Sequence, residues 1–359
     1  MRRILLALPV LALVLAGLAG CKASGTVDCP NLPITAPTTT TSGTCTWTYT
    51  PDPPSTTTIP PTTTTATVPP TTTTTTVQPT TTSSTPPPAA FPTPSTTGAP
   101  ANTAFAAKPG GTVVNTPGQV IDGWHVTGTL LINAPGVTIR NSWIEGYLDN
   151  EATALGSARM TVTDTTIGNP AKCDPQPGVG EHDYTATRVR IIGQGDGFRV
   201  SGSNVSISDS YVQTCNDAAN HDDGVQVYCP APDLPQPCQG IVVNHNTLSN
   251  ANTGNFTAPL FGGQQPGGNN GQLANSKFTN NMLYGGVFSI YLYGTGLTIT
   301  GNRIATNPWH DTTDGNTYNG WVYGASDVTC STVTWSDNRA VTMDGNWQPN
   351  SAGTALNCA

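Results

Sequence analysis

Charge is scarce in this chain: lysine, arginine, aspartate and glutamate make up 9% of its 359 residues. From about Phe105 to the end there are ten basic residues against nineteen acidic ones, a formal balance of −9. A nucleic-acid partner is excluded on that ground, because binding phosphates takes a basic face. A highly anionic polysaccharide is disfavoured too, unless basic residues or a bound cation compensate locally. Paired cysteines at zinc spacing are missing, since no Cys-x-x-Cys occurs, and no metal site is expected. Helical periodicity is also absent after residue 105, where apolar residues never recur at three- and four-residue steps over a useful length. These absences remove helical bundles, α/β enzymes and nucleic-acid readers from consideration.

The one long apolar run is at the start: "MRRILLALPVLALVLAGLAGC" has two arginines, an apolar stretch and small residues before a cysteine. That order reads as a secretory signal over residues 1–20. Its end, Leu18-Ala19-Gly20-Cys21, resembles the bacterial lipobox. The resemblance implies that Cys21 is lipidated, and that the protein is exported and anchored on the outer side of a bacterial cell membrane. Each buried acyl methylene would contribute roughly 0.8 kcal/mol to that anchor. A short segment, residues 21–35, follows. Residues 36–104 form a Thr/Pro-rich linker with a Cys29–Cys45 loop at its start, and Asp52 is the only charge between 36 and 100. Such a segment cannot bury a core and is expected to be a disordered, extended stalk with a reach on the order of 200 Å.

With Cys21 set aside, eight cysteines remain, and an even count in an exported chain suggests disulfides. Order and local spacing suggest Cys29–Cys45, Cys173–Cys215, Cys229–Cys238 and Cys330–Cys358, although spacing alone does not fix connectivity.

Residues 105–359 repeat one short unit: apolar, x, apolar, x, then Asn, Asp or Gly, x, x, apolar. It reads "VTIRNSWI" (137–144), "MTVTDTTI" (160–167), "NVSISDSYV" (204–212), "IVVNHNTL" (241–248), "SKFTNNML" (276–283), "LTITGNRI" (297–304) and "VTWSDNRA" (333–340), with a weaker copy "YTATRVRI" (184–191). Period-two strands joined by a small polar corner every twenty-odd residues describe a solenoid, in which each strand stacks on its counterpart in the next coil. The corner residues Asn141, Asp164, Asp209, Asn280, Gly301 and Asp337 suit left-handed backbone geometry. A β-sandwich would instead show turns every eight to twelve residues. The repeat resembles the right-handed parallel β-helix superfamily typified by pectate lyases and polygalacturonases. The fold class expected is therefore all-β, a right-handed single-stranded parallel β-helix after the stalk.

Residues inserted at one phase of a solenoid emerge on one side, and here they run over 168–183, 213–222, 249 onward and 305–320. Two stretches beside them match: "GDGFRV" (195–200) and "DDGVQV" (222–227). If the apolar pairs Phe198/Val200 and Val225/Val227 face inward, Arg199 and Gln226 face outward on neighbouring coils, about 4.8 Å apart. Asp196 and Asp223 then stack at one corner, with Asp222 and His221 beside them. His125 and His245 lie in strands and corners and are read as structural. An Asp before Gly followed by a paired Asp-Asp on the next coil is similar to the polygalacturonase pattern, although that family's Gly-His-Gly and Arg-Ile-Lys motifs are missing.

The resemblance implies action on a polysaccharide, with Asp196, Asp222 and Asp223 as acid/base candidates and Arg199, His221, Gln226 and His182 as substrate-binding ones. In hydrolysis one carboxyl protonates the leaving oxygen while another activates water or attacks carbon. In elimination carboxylates would hold Ca²⁺ on a uronate while a basic residue removes a proton, so Ca²⁺ is implied only for a lyase. The competing expectation is a non-catalytic glycan-binding or adhesive module. The partners expected are a polysaccharide or cell-surface glycan and, through the lipid, a membrane; the protein is expected to be a monomer.

Overall fold

The structure is a computed structural model that describes residues 90–154, 156–215, 222–229, 238–250, 258–263, 273–306, 320–323 and 332–358. Cys21, Cys29, Cys45, His221 and Cys330 lie outside these residues, as does the proposed signal peptide and all but the last residues of the Thr/Pro linker. Among the described residues every regular element is a strand.

The chain visits three sheets in turn. Thr138–Arg140, Trp143–Ile144 and Leu148–Asp149 form one round, and Met160–Thr163, Thr166–Ile167 and Val179–Gly180 form the next. Each strand pairs in parallel with its counterpart one coil away, for example Thr138–Arg140 with Thr161–Thr163. The result is a parallel β-solenoid with an eleven-stranded first sheet, a nine-stranded second sheet and a nine-stranded third sheet. One antiparallel pair, Arg339 with Ala355 and Ala340 with Thr354, ends the first sheet.

The recurring sequence unit covers two of the three strands: the third-sheet strand, the corner and the first-sheet strand. The second-sheet strand falls outside it, being as short as two residues, too few to show a period. At the corners Asn141, Asp164, Asp209, Asn280, Gly301 and Asp337 have φ of 48°, 46°, 51°, 55°, 71° and 49°. Arg188 and His245 occupy the same position with φ of 51° and 56°; histidine enters this region more readily than most residues, whereas arginine seldom does. Each is held by the corner aspartate of the preceding coil: Arg188 donates twice to Asp164, at 2.7 Å each, and His245 Nδ1 lies 2.7 Å from Asp209 Oδ1.

Alternate side chains point inward and are fully buried, among them Ile139, Ile144, Leu148, Val162, Ile167, Val179 and Ile191. Each contributes roughly 1.5–3 kcal/mol by leaving water. Just inside the corner a polar column crosses this core. Asn246, Asn281, Asn302 and Asn338 stack in successive coils, each at most 1% exposed. Each of the last three accepts on Oδ1 the backbone N–H of the asparagine before it, at 3.0–3.1 Å.

The domain begins earlier than the sequence boundary at residue 104/105. Gln348 clasps the Phe91 backbone through both amide atoms (2.8 and 2.9 Å), Thr247 donates to Pro92 O, and Arg190 donates to Pro94 O. Residues 91–98, assigned above to the linker, are thus part of the packed solenoid: their backbone carbonyls and amides complete the outward side chains of the first sheet. Disulfides join Cys173 to Cys215 and Cys229 to Cys238, and Cys358 is also disulfide-bonded.

Candidate functional site on the second sheet

Phe198–Val200 and Val225–Val227 are neighbouring second-sheet strands, with Arg199 in register with Gln226. Their apolar flanks Phe198, Val200, Val225 and Val227 are at most 1% exposed, so Arg199 and Gln226 project outward. The glycine after each aspartate is required by close approach of the coils. A side chain at Gly197 would collide with the carbonyl of Gly224, and one at Gly224 with the carbonyl of Pro259.

The same construction then appears twice. Asp196 Oδ1 accepts the backbone N–H of Asp223 (3.0 Å), and its Oδ2 accepts from Arg199 Nη2 (2.8 Å). One coil on, Asp223 Oδ1 accepts the backbone N–H of Ala258 (3.0 Å), and its Oδ2 accepts from Gln226 Nε2 (3.1 Å). Arg199 Nε donates to Gln226 Oε1 at 3.0 Å and joins the two halves. Each aspartate therefore splints its own coil to the next and orients the outward residue three positions later.

Asp222 is fixed through its carbonyl oxygen, which accepts from Asn250 Nδ2 at 2.6 Å. Its Oδ1 lies against Gly195, only 3.4 Å from the point that a Cβ would occupy there. The Cys173–Cys215 disulfide ties the 168–183 insertion to the start of the 213–222 insertion, and a bridge between Asp174 and Gln194 lays the first along this corner. The 305–320 insertion lies almost wholly outside the described residues.

Electrostatics follow from burial. Asp196, Asp222 and Asp223 are 3%, 2% and 0% exposed. Burial, then the charge of Asp196, pushes the Asp223 carboxyl well above the ordinary carboxylate range, and the bonds from Ala258 and Gln226 only partly oppose this. Burial favours a neutral Arg199, but Asp196 and Glu181 outweigh it and keep its pKa above the ordinary guanidinium value.

Glu181 and Tyr147 are additions that sequence reasoning missed. The Tyr147 hydroxyl donates to Glu181 Oε1, and burial followed by the Glu181 charge raises the tyrosine pKa. A side chain at Gly180 would collide with the Tyr147 hydroxyl, so the ring lies over the outward position that Gly180 leaves empty. Only that glycine, in an outward position of a strand, hinted at this.

His182 does not join the aspartates. Its Nδ1 lies 2.9 Å from Asp183 Oδ2, and it follows the Val179–Gly180 strand, whereas Asp196 precedes the adjacent strand. His125 pairs with Glu145 and stacks on Trp143, and His245 stacks on Phe91. Beyond Gln226 the outward row becomes aromatic. Gln226 is in register with Phe261, and Phe261 with Tyr291, their rings stacked with centroids 4.9 Å apart. Among the described residues no group of three or more His, Cys, Asp or Glu side chains is arranged to hold a metal ion. A groove of about 780 Å³ lined by Phe91, Arg188, Asp209, His245 and Trp347 lies at the left-handed corner, away from this cluster.

No protein-family model matches the chain, and no curated protein matches it. Among solved structures it is similar to the crystal structure of the Dettilon tailspike protein (gp208), with 12% identity and a TM-score of 0.27. That alignment covers 66% of this chain and 63% of the tailspike chain, so this chain spans less than two thirds of the tailspike's length.

Proposed function

We propose that the outward face of the second sheet binds an extended polysaccharide, with cleavage at its acidic end as the reaction built on that binding. One observation carries the reading. The row Arg199, Gln226, Phe261, Tyr291 is in register coil by coil, so hydrogen-bonding groups pass directly into stacked rings along one line. A row with about 4.8 Å between coils offers successive sugar units polar groups for their hydroxyls and apolar ring edges for their C–H groups. Asp222 and Asp223 would supply the acid and base, Asp223 being held above the ordinary carboxylate range by burial. Asp196 and Gln226 would position Arg199.

A non-catalytic glycan-binding module is the second reading, and it has its own support. Both oxygens of Asp196 and of Asp223 already accept hydrogen bonds, one from the backbone of the next coil and one from the outward residue three positions later. A polysaccharide panel separates the two. New reducing ends identify hydrolysis, new ultraviolet absorbance identifies elimination, and retention without either identifies binding alone. If no polysaccharide is retained or altered, both readings fail.

The solenoid would be right-handed, as crossovers between parallel strands nearly always are. In the same proposal the protein is an exported monomer, held to the outer side of the membrane through Cys21 and spaced from it by the Thr/Pro stalk. Cys21→Ser should then move the protein from the membrane fraction to the medium or soluble fraction; identical fractionation of both forms would remove the anchor.

A further inference from the structure

We infer that this face takes uncharged glycans and turns anionic ones away, an inference that rests on the polysaccharide-binding reading above. Arg199 is the only lysine or arginine in the described strands of the second sheet. It is already matched: Nη2 is on Asp196 at 2.8 Å and Nε is on Gln226 at 3.0 Å. Glu181 adds a second carboxylate to its surroundings, close enough to help keep it charged. Asp149, one coil before in the same outward row as Gly180, adds a third, and Asp222 and Asp223 lie at the adjoining corner.

A uronate or sulfate is gripped best by an arginine whose fork is open to it. Here two of the guanidinium nitrogens already serve protein oxygens. An incoming anion would have to displace Asp196 or sit beside it in an excess of negative charge. Sugar hydroxyls meet no such conflict, because they donate to carboxylates and accept from the Arg199 and Gln226 N–H groups equally well. The stacked Phe261 and Tyr291 rings add apolar contact that carries no charge preference. The expected selectivity is therefore opposite to that of a uronate-cleaving solenoid. It amounts to at least about tenfold against a uronate polymer, the scale of one unscreened like charge near a protein surface.

The experiment measures binding of the full-length protein to a neutral glucan, a neutral mannan and polygalacturonate, at low and high salt, with and without Ca²⁺. At least one neutral polymer should bind at least about tenfold more tightly than the uronate. The gap should narrow as salt screens the carboxylates, while neutral binding stays constant. Glu181→Gln, which keeps an acceptor for the Tyr147 hydroxyl, should raise affinity for polygalacturonate relative to the neutral polymers. Polygalacturonate binding as tight as the neutral polymers, with or without Ca²⁺, overturns the inference but leaves the polysaccharide reading standing. So does a folded Glu181→Gln protein with unchanged uronate affinity. Retention of no polymer at all overturns both, and the wild-type salt series decides the matter even if the variant does not fold.

Discussion

Asn281→Ala should destabilise the solenoid by about 3–5 kcal/mol and lower its melting temperature by roughly 10 °C. Asn281 is fully buried, and its amide serves two coils at once. Oδ1 accepts both the backbone and the side-chain N–H of Asn246, at 3.0 Å each. Nδ2 donates to Val243 O at 3.0 Å and to Asn302 Oδ1 at 3.1 Å. Alanine removes these four hydrogen bonds and leaves two buried donors and a carbonyl without them, where water does not reach. Each such group costs about 1–3 kcal/mol, partly recovered by relaxation. The exposed neighbour Asn280, outside the column, provides the control, and Asn280→Gly should cost little because glycine adopts its φ of 55° readily. Thermal melts of both variants check this. An Asn281→Ala protein that melts within about 2 °C of wild type would mean the column is not a source of stability. Because a solenoid's stability is a sum over neighbouring coils, the loss should appear as earlier melting of the coils around residue 281.

Asn281 also marks the limit of what is legible in the sequence. The strand–corner–strand unit is readable because two constraints coincide in it: alternation decides which side chains enter the core, and the corner demands Asn, Asp or Gly. Arg188 and His245 break the second rule, yet the first carries the assignment through, and the aspartate of the preceding coil explains how they are tolerated. The second-sheet strands are legible only where they keep three residues, as in Phe198–Val200 and Val225–Val227, and there the inward and outward assignments of Phe198, Arg199, Val225 and Gln226 agree with the structure. Leu148–Asp149 and Val179–Gly180 are too short to alternate. Glu181 and Tyr147 escape the sequence reading for that reason: their contact joins residues 34 apart across a strand pair that no pattern discloses. Phe261 and Tyr291 escape it because long inserted loops separate their strands and hide the register. Residues 91–98 read as linker because threonine and proline dominate them, whereas their docking uses backbone atoms and the single ring of Phe91, which composition does not reveal. His182 groups with the aspartates when only its loop is considered, but it leaves one strand of the row where Asp196 enters the next.

Asp222→Asn should lower turnover on any polysaccharide that the protein cleaves by at least about 100-fold, and Asp223→Asn should cost stability as well. Asp223 faces a donor on each oxygen, Ala258 N on one and Gln226 Nε2 on the other. Gln226 cannot turn its amide to accommodate a change, because its Oε1 already accepts from Arg199 Nε. Asparagine at 223 offers one acceptor and one donor, so in either orientation an N–H meets an N–H. The unsatisfied donor in a fully buried site costs about 1–3 kcal/mol. At Asp222 the bond from Asn250 goes to the backbone carbonyl and survives the substitution. The substitution there removes a carboxyl able to exchange a proton. Burial and the Asp196 charge hold the Asp223 carboxyl above the ordinary carboxylate range, and Asp222→Asn removes the second carboxyl that acid/base cleavage of a glycosidic bond requires. Product formation and thermal melts on the same preparations give the answer. Full turnover in Asp222→Asn shows that this carboxylate takes no part in the chemistry. A loss of turnover in Asp223→Asn at wild-type stability moves the acid/base role one residue along. Where the wild type retains glycan without cleaving it, unchanged retention in Asp222→Asn leaves the binding row of Arg199, Gln226, Phe261 and Tyr291 as the functional surface, with the aspartates as the splints that hold it in register.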